Sequence, residues 1–171
     1  QIHYVDLNRT PELWAELERD DVTLREACGN TVRNVTASET AGIDVDEPFD
    51  VSPYAEALFR FFLRNPICQE MGRKFKVSFS SSDEDTGLSY MHDLGFIAKI
   101  KNGERGFKVM IGCMTESTVG ISAGSVLAPL ADYCDLDGAN LIAKDVANGS
   151  FVEKGIVTIT DAPGLGIRWN K

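Results

Sequence analysis

Residues 106–117 read GFKVMIGCMTES. The first six, Gly106 to Ile111, have the composition of a buried strand. The last six, Gly112 to Ser117, read as a strand end turning into a helix. Upstream lies one kind of pattern and downstream another, so the stretch is a seam. It has no Pro/Gly/Ser spacer of the kind that tethers independent domains. The expectation is two segments, 1–112 and 113–171, packed as one unit.

Upstream of the seam, strands at Leu94 to Lys101 and Gly106 to Ile111 flank the turn Lys101-Asn102-Gly103-Glu104. Asn-Gly is the strongest short hairpin signal. Arg73 to Ser80 alternates as a strand, with Phe75, Val77 and Phe79 on one face and Lys74, Lys76 and Ser78 on the other. Ser52-Pro53 opens the clearest helix, whose Ala55, Leu58, Phe59, Phe62 and Leu63 share a core-facing side. Pro66 closes it. Glu39 to Asp50 is an acidic surface loop, and Ser81 to Asp85 a polar one. Thr31 to Thr36 resumes the chain after an interruption at Gly29 and Asn30. Thr23-Leu24-Arg25-Glu26 has the form of a capping box that starts a helix. Thr10-Pro11-Glu12 starts another, with Thr10 as N-cap. Ile2 to Leu7 is a short strand candidate.

Downstream, Ser117 to Ala131 is helical by period. Tyr133 to Asp137 is a short strand with Asp135 and Asp137 on the same side. Phe151 to Thr160 is a hairpin broken at Lys154-Gly155, and Pro163-Gly164-Leu165-Gly166 is a terminal loop. The fold class is α+β: an antiparallel or mixed sheet with packed helices, continued by a helix and short strands.

The net charge is −9 and the pI about 4.7. Nucleic acid is excluded as a partner on that balance, because phosphate binding rests on a basic face. No apolar run reaches membrane-spanning length and no signal peptide opens the chain, which places it in the cytoplasm. Gln1 leads directly into the first element without an initiator Met, as in a piece of a longer protein. Cys28, Cys68, Cys113 and Cys134 are far apart, without the close spacing of a zinc or iron–sulfur site, and read as free thiols.

Lys74 and Lys76, with Arg73 adjacent and Arg33 upstream, are the first candidates for chemistry. Such a group suits a small anion or a carboxylate-rich ligand, though spacing alone favours a solvated strand face or a lysine-protected edge. Four motifs extend the reading: 28-CGNTVRNV-35, 72-GRKFKV-77, 92-HDLGF-96 and 106-GFKV-109. In order and spacing they resemble the first repeat half of the sirohaem nitrite/sulfite reductases, over about residues 1–112. The resemblance implies that Arg33, Lys74 and Lys76 line the anion side of a sirohaem, hold sulfite or nitrite, and supply protons for a six-electron reduction. It implies that Asn34 and Arg73 hold the macrocycle's carboxylates. Fixed positive charge and acid groups are what the reduction of an oxyanion needs. The family's 4Fe–4S cysteines lie in its later half, and none of the four cysteines here sits in that motif. A further site arginine of the family falls before the stretch matching Gln1 to Val5. The family's glycine-rich segment after GFKV is replaced here by Ile111 to Glu116.

The second segment is similar to something else. Its motifs 110-MIGCMTES-117, 135-DLDG-138 and 163-PGLGI-167 resemble the C-terminal end of the dipeptide epimerases of the enolase superfamily. That resemblance implies that Asp135 and Asp137 face a substrate's ammonium group. The family's catalytic lysines and Mg²⁺ carboxylates belong to earlier barrel strands, to which nothing in residues 1–109 corresponds, so no metal ligand is assigned. Some sixty residues cannot close a barrel that needs around 200 or more. The chain thus has the look of a chimera, joined where one strand serves both parents. Three readings follow: a partial sirohaem and anion site that is inactive alone, a dipeptide-binding fragment, and a fold without activity. A fourth is a homo-oligomer that buries surfaces the missing parent halves would cover.

Overall fold

A computed structural model describes residues 2–171. Its helices and strands, in chain order, are α1 (Thr10–Arg19), β1 (Val32–Ala37), α2 (Ser52–Phe62), β2 (Phe75–Ser80), β3 (Leu94–Lys101) and β4 (Glu104–Ile111). After the seam come α3 (Thr118–Leu127), β5 (Tyr133–Cys134), β6 (Ala147–Asn148), β7 (Phe151–Glu153), β8 (Ile156–Thr158) and β9 (Arg168–Trp169). The first five strands form one sheet in the order β1-β2-β3-β4-β5. β1, β2 and β3 are parallel, β3 and β4 antiparallel, and β4 and β5 parallel. The fold is α+β with a mixed sheet.

The sheet is organised by one apolar face. Val77 and Phe79 of β2 stand beside Val35 and Ala37 of β1 and beside Leu94 and Phe96 of β3. On that face lie Phe49, Val51 and the inner side of α2, with Ala55 buried and Leu58 and Phe62 partly so. Five aromatic rings lock together there. Phe79 stacks on Phe96 at 4.7 Å, while Phe107 meets Phe49, Tyr54 and Phe79 edge-on at 5.1–5.5 Å. Such offset and edge contacts add to burial itself.

The β3–β4 hairpin closes on Asn102 and Gly103, both at positive φ, as a tight primed turn requires. The parallel β2–β3 connection, residues 81–93, contains no α-helix. Side chains satisfy most of its polar groups instead, the buried Ser81 hydroxyl being left without a partner. The Ser80 hydroxyl donates to Asp85 at 2.5 Å, and the Asp85 carboxylate accepts from the Ser89 and Tyr90 amides. The Ser89 hydroxyl donates to the Phe96 carbonyl. This network seats the connection on the sheet's second face, where Ser78, Ser80, Ser81 and Ser89 are fully buried.

The seam continues without a break. β4 ends at Ile111, α3 follows, and β5 returns parallel to β4, with Met110 opposite Tyr133 and Ile111 opposite Cys134. Beyond it, two small ribbons, β6–β9 and β7–β8, accompany α3. Ile121, Leu136 and Ala147 are buried here together with Ser122, Ser125 and Ser150. Ser117 makes no side-chain cap at the start of α3. Asp145 accepts from both the Thr118 amide and hydroxyl and supplies that cap from a distant segment.

Several local expectations give way to tertiary context. Ile2 to Leu7 forms no strand, because no sheet edge reaches it. It leads into a 3₁₀ turn at Leu7–Arg9, held by Asp6 accepting from the Asn8 amide. Thr10 is the first residue of α1, and its hydroxyl donates back to the Leu7 carbonyl, so it is not the N-cap. Thr23 to Glu26 starts no helix. Thr23 accepts from the Arg25 amide, Glu26 has φ 62°, and its carboxylate accepts from the Arg64 amide just past α2. The capping residues are present but serve a turn and the end of another helix. β5 stops at Cys134, so Asp135 and Asp137 lie beyond the strand.

The accessible surface is 11911 Å² for 18.7 kDa. A compact monomer of that mass exposes about 8,300 Å². Trp14, Phe61, Ile67, Leu130 and Trp169 are among the large apolar residues left exposed and supply a minor part of the excess.

Candidate functional site

β1, β2 and β3 start where β4 and β5 finish, so these five ends share one rim of the sheet. Every site residue expected from the sequence lies on or next to that rim.

At one side of it, the parallel β1–β2 register is irregular. Val32 faces Phe75 and Asn34 faces Lys76, so Arg33 is the extra residue of a bulge. Bulges re-aim a side chain out of the regular pleat, and Arg33 is exposed. Lys74 has φ 61° and precedes the strand. It therefore does not share the alternating face with Lys76, contrary to the period-two expectation; a left-handed residue breaks the pleat. Arg73 and Lys74 are exposed next to Phe75, which pairs with Val32, so Arg33, Asn34, Arg73, Lys74 and Lys76 do converge at the beginning of two adjacent strands. Arg33 and Asn34 also line a groove of about 380 Å³ with Glu26, Phe59 and Phe62.

Lys76 is held by a residue that had no assigned role. Its backbone amide donates to Asp93 Oδ2 at 2.8 Å, and its Nζ stands 4.0 Å from the same oxygen. The sequence signal was the acid directly before β3, within the HDLGF motif. The Asp93 carbonyl in turn accepts from the Gly112 amide at 2.9 Å, which carries the rim to the seam.

At the other side stand Cys113, Asp135 and Asp137, whose Sγ and carboxylate oxygens lie within 4.8 Å of one another. The Asp135 amide donates to the Ile111 carbonyl and the Gly138 amide to Cys113 Sγ, which fixes both loops. Burial, followed by the charge of Asp137, pushes the Asp135 carboxyl above the usual carboxylate range. Burial likewise pushes the Cys113 thiol up. The two carboxylates come together although they are not on a strand, because the chain turns after β5. Cys113 as their neighbour was not legible, since only the β4–β5 pairing brings it there. β2 and β5 are three strand spacings apart, about 14 Å, so the cationic and anionic groups form separate sites.

The thiols do not fit an iron–sulfur cluster. Cys113 sits with the two aspartates, Cys68 is buried after α2, and Cys28 and Cys134 are exposed; all are free. Among the described residues no four cysteine sulfurs converge. The cation-lined start of β1 and β2, by contrast, fits a ligand bearing carboxylates, such as a sirohaem.

Comparison with known proteins gives two kinds of relative. The family model described as the nitrite and sulphite reductase 4Fe-4S domain matches residues 28–143. The sulfite reductase (ferredoxin) 1 of Mycolicibacterium paratuberculosis is 32% identical over 106 residues, 62% of this chain and 19% of that protein. A separate stretch of 62 residues, 36% of this chain, is 50% identical to the L-Ala-D/L-amino acid epimerase of Flavobacterium johnsoniae and covers 18% of it. The solved structure of the Mycobacterium tuberculosis NirA protein superposes with a TM-score of 0.57 at 24% identity, covering 83% of this chain and 28% of that one. The chain spans about a fifth of the length of the curated relatives it matches. Among the described residues no helix is long and apolar enough to cross a membrane.

Proposed function

The chain belongs to the nitrite and sulphite reductase 4Fe-4S domain family, and we propose that it carries the anion-holding face of that chemistry. In this reading Arg33, Lys74 and Lys76 hold a small oxyanion, sulfite or nitrite. Asn34 and Arg73 hold the carboxylates of a sirohaem, which supplies the redox iron when bound. The supporting observation is the bulged β1–β2 register, which gathers these residues at one end of two strands. Lys76, whose amide donates to Asp93 and whose ammonium stands 4.0 Å from that carboxylate, is the proton donor in this reading. The free thiols do not assemble a cluster, so in this reading electrons arrive from outside these 171 residues, which alone are inactive as a reductase. The free thiols also suit the cytoplasm, where reducing conditions keep them so.

The test is a sirohaem titration followed by Soret absorbance. A saturable shift is expected for the parent chain, with sirohaem binding weakened about tenfold or more in Arg73→Ala, the loss of a charge-assisted bond, and the further shift on adding sulfite lost in Lys74→Ala/Lys76→Ala. A sulfite shift that the double variant leaves unchanged would remove the reading.

A second reading has its own observation, the proximity of Asp135 and Asp137 beside Cys113. The pair receives the ammonium group of a dipeptide, and the chain is a chimera that joins near Ile111 and Gly112. Asp135 must be ionised to bind a cation, so binding strengthens as pH rises through its elevated pKa. Calorimetry with L-Ala-L-Glu should show heat that Asp135→Asn/Asp137→Asn abolishes and the lysine changes do not. Equal heats in parent and variant would exclude this reading.

The excess accessible surface supports a homodimer. Sedimentation equilibrium is expected to give twice 18.7 kDa at micromolar concentration; a monomer mass throughout would exclude it.

A further inference from the structure

On the sheet face away from the aromatic core, a second set of ionisable groups meets across the seam. Lys108 of β4 and Tyr133 of β5 are neighbours, because Met110 faces Tyr133 and Lys108 shares its side of the strand. Lys108 Nζ donates to the Tyr133 hydroxyl at 3.3 Å and stands 5.6 Å from the ring centroid. Tyr90, on the turn Ser89–Met91, meets the Tyr133 ring edge-on, with centroids 5.1 Å apart and planes at 83°. The remaining charges facing the pair are Asp132, Asp83 and Asp85. The Tyr90 hydroxyl, and after it the Lys108 ammonium, draw the Tyr133 phenol below the usual range, against burial and then the charge of Asp132. Tyr90 is pushed up to about 12 by the same contact.

We infer that Tyr133 is the activated phenol of this chain, a nucleophile that takes an acyl group from an activated acyl donor. The ammonium of Lys108 stabilises the phenolate, the usual device for making a weak nucleophile competent. In the step, the Tyr133 oxygen forms a bond to the acyl carbon. The bond from that carbon to the leaving group breaks, and the leaving group departs with the electron pair and takes up the phenol's proton. No electron is gained or lost overall.

Exposure and activation rank the tyrosines differently. Tyr4 is 106% exposed and has no cation beside it among the contacts described, whereas Tyr133 is 39% exposed. Limited reaction of the intact chain with N-acetylimidazole in mildly alkaline buffer, with peptide mass mapping, separates the two. Tyr133 should be acetylated before Tyr4. Lys108→Met should slow Tyr133 by roughly threefold or more while leaving Tyr4 unchanged, and Lys108→Arg should retain most of the rate. Acetylation of Tyr4 first would overturn the inference, and so would a Tyr133 rate indifferent to Lys108→Met. The Tyr133–Tyr4 comparison is made within the parent chain, so it holds even if a variant misfolds.

Discussion

Phe79→Ala is expected to cost about 3–5 kcal/mol, the range for a large aromatic removed from a well-packed core. Phe79 is 4% exposed. It stacks on Phe96, meets Phe107 edge-on, and sits opposite Ala37 across β1, so its ring touches three strands at once. Nothing nearby can collapse into the gap without moving the sheet or α2. Against a total stability of about 5–15 kcal/mol, that loss takes most of the folded margin. Urea melts read it directly, as a fall in midpoint at similar slope. Phe61→Ala is the control: Phe61 is 61% exposed on the outer side of α2 and should change stability by about 0.5 kcal/mol or less. Equal losses at both positions would mean that the aromatic face is not the core of this molecule.

Gly95→Ala is expected to do comparable damage by the opposite route, overpacking. A Cβ at Gly95 would lie 2.2 Å from the Ser89 carbonyl oxygen and 2.7 Å from its carbon. Both are backbone atoms, so the turn Ser89–Met91 must lift off β3. That turn is held by Ser89 donating to Phe96 and by Asp85 accepting from the Ser89 and Tyr90 amides. Lifting it leaves buried serines unsatisfied in addition to the strain. The cost is about 1–3 kcal/mol for the overpacking alone, with about 1–3 kcal/mol more for each orphaned polar group. Hydrogen exchange should show faster amides across residues 78–93. Gly106→Ala, where a Cβ meets nothing within 4 Å, should leave both the melt and the exchange pattern near the parent. Unchanged protection in Gly95→Ala would show that the connection is not seated on the sheet as described.

These two positions differ in how far the sequence foretold them. Phe79 was legible from alternation, as α2 was from its apolar period and the β3–β4 hairpin from Asn102-Gly103. Each of those signals is complete within a dozen residues. The intimate contact at Gly95 depends on a turn whose hydrogen-bond partners lie on two strands, and no local pattern announces it. The capping-box residues at Thr23 and Glu26 show the converse. A correct local signal was diverted, because Glu26 found the end of α2 to satisfy.

For the candidate sites the division is similar. The motifs containing Arg33, Asn34, Arg73, Lys74, Lys76, Asp135 and Asp137 stand in the sequence and give its two kinds of relative. What the sequence determined by itself was which residues carry charge, where the pleat alternates, where the turns fall, and the class α+β. Tertiary structure alone decided that β1, β2 and β3 run parallel, that Arg33 occupies a bulge, that Lys74 leaves the strand, and that Asp93 holds Lys76. It alone placed Cys113 beside Asp135 and Asp137, and Tyr133 between Lys108 and Tyr90. The physical reason is range. Periodicity and turn preference act between neighbours along the chain, whereas strand direction, register and the meeting of distant side chains follow from how the whole chain buries its one apolar face.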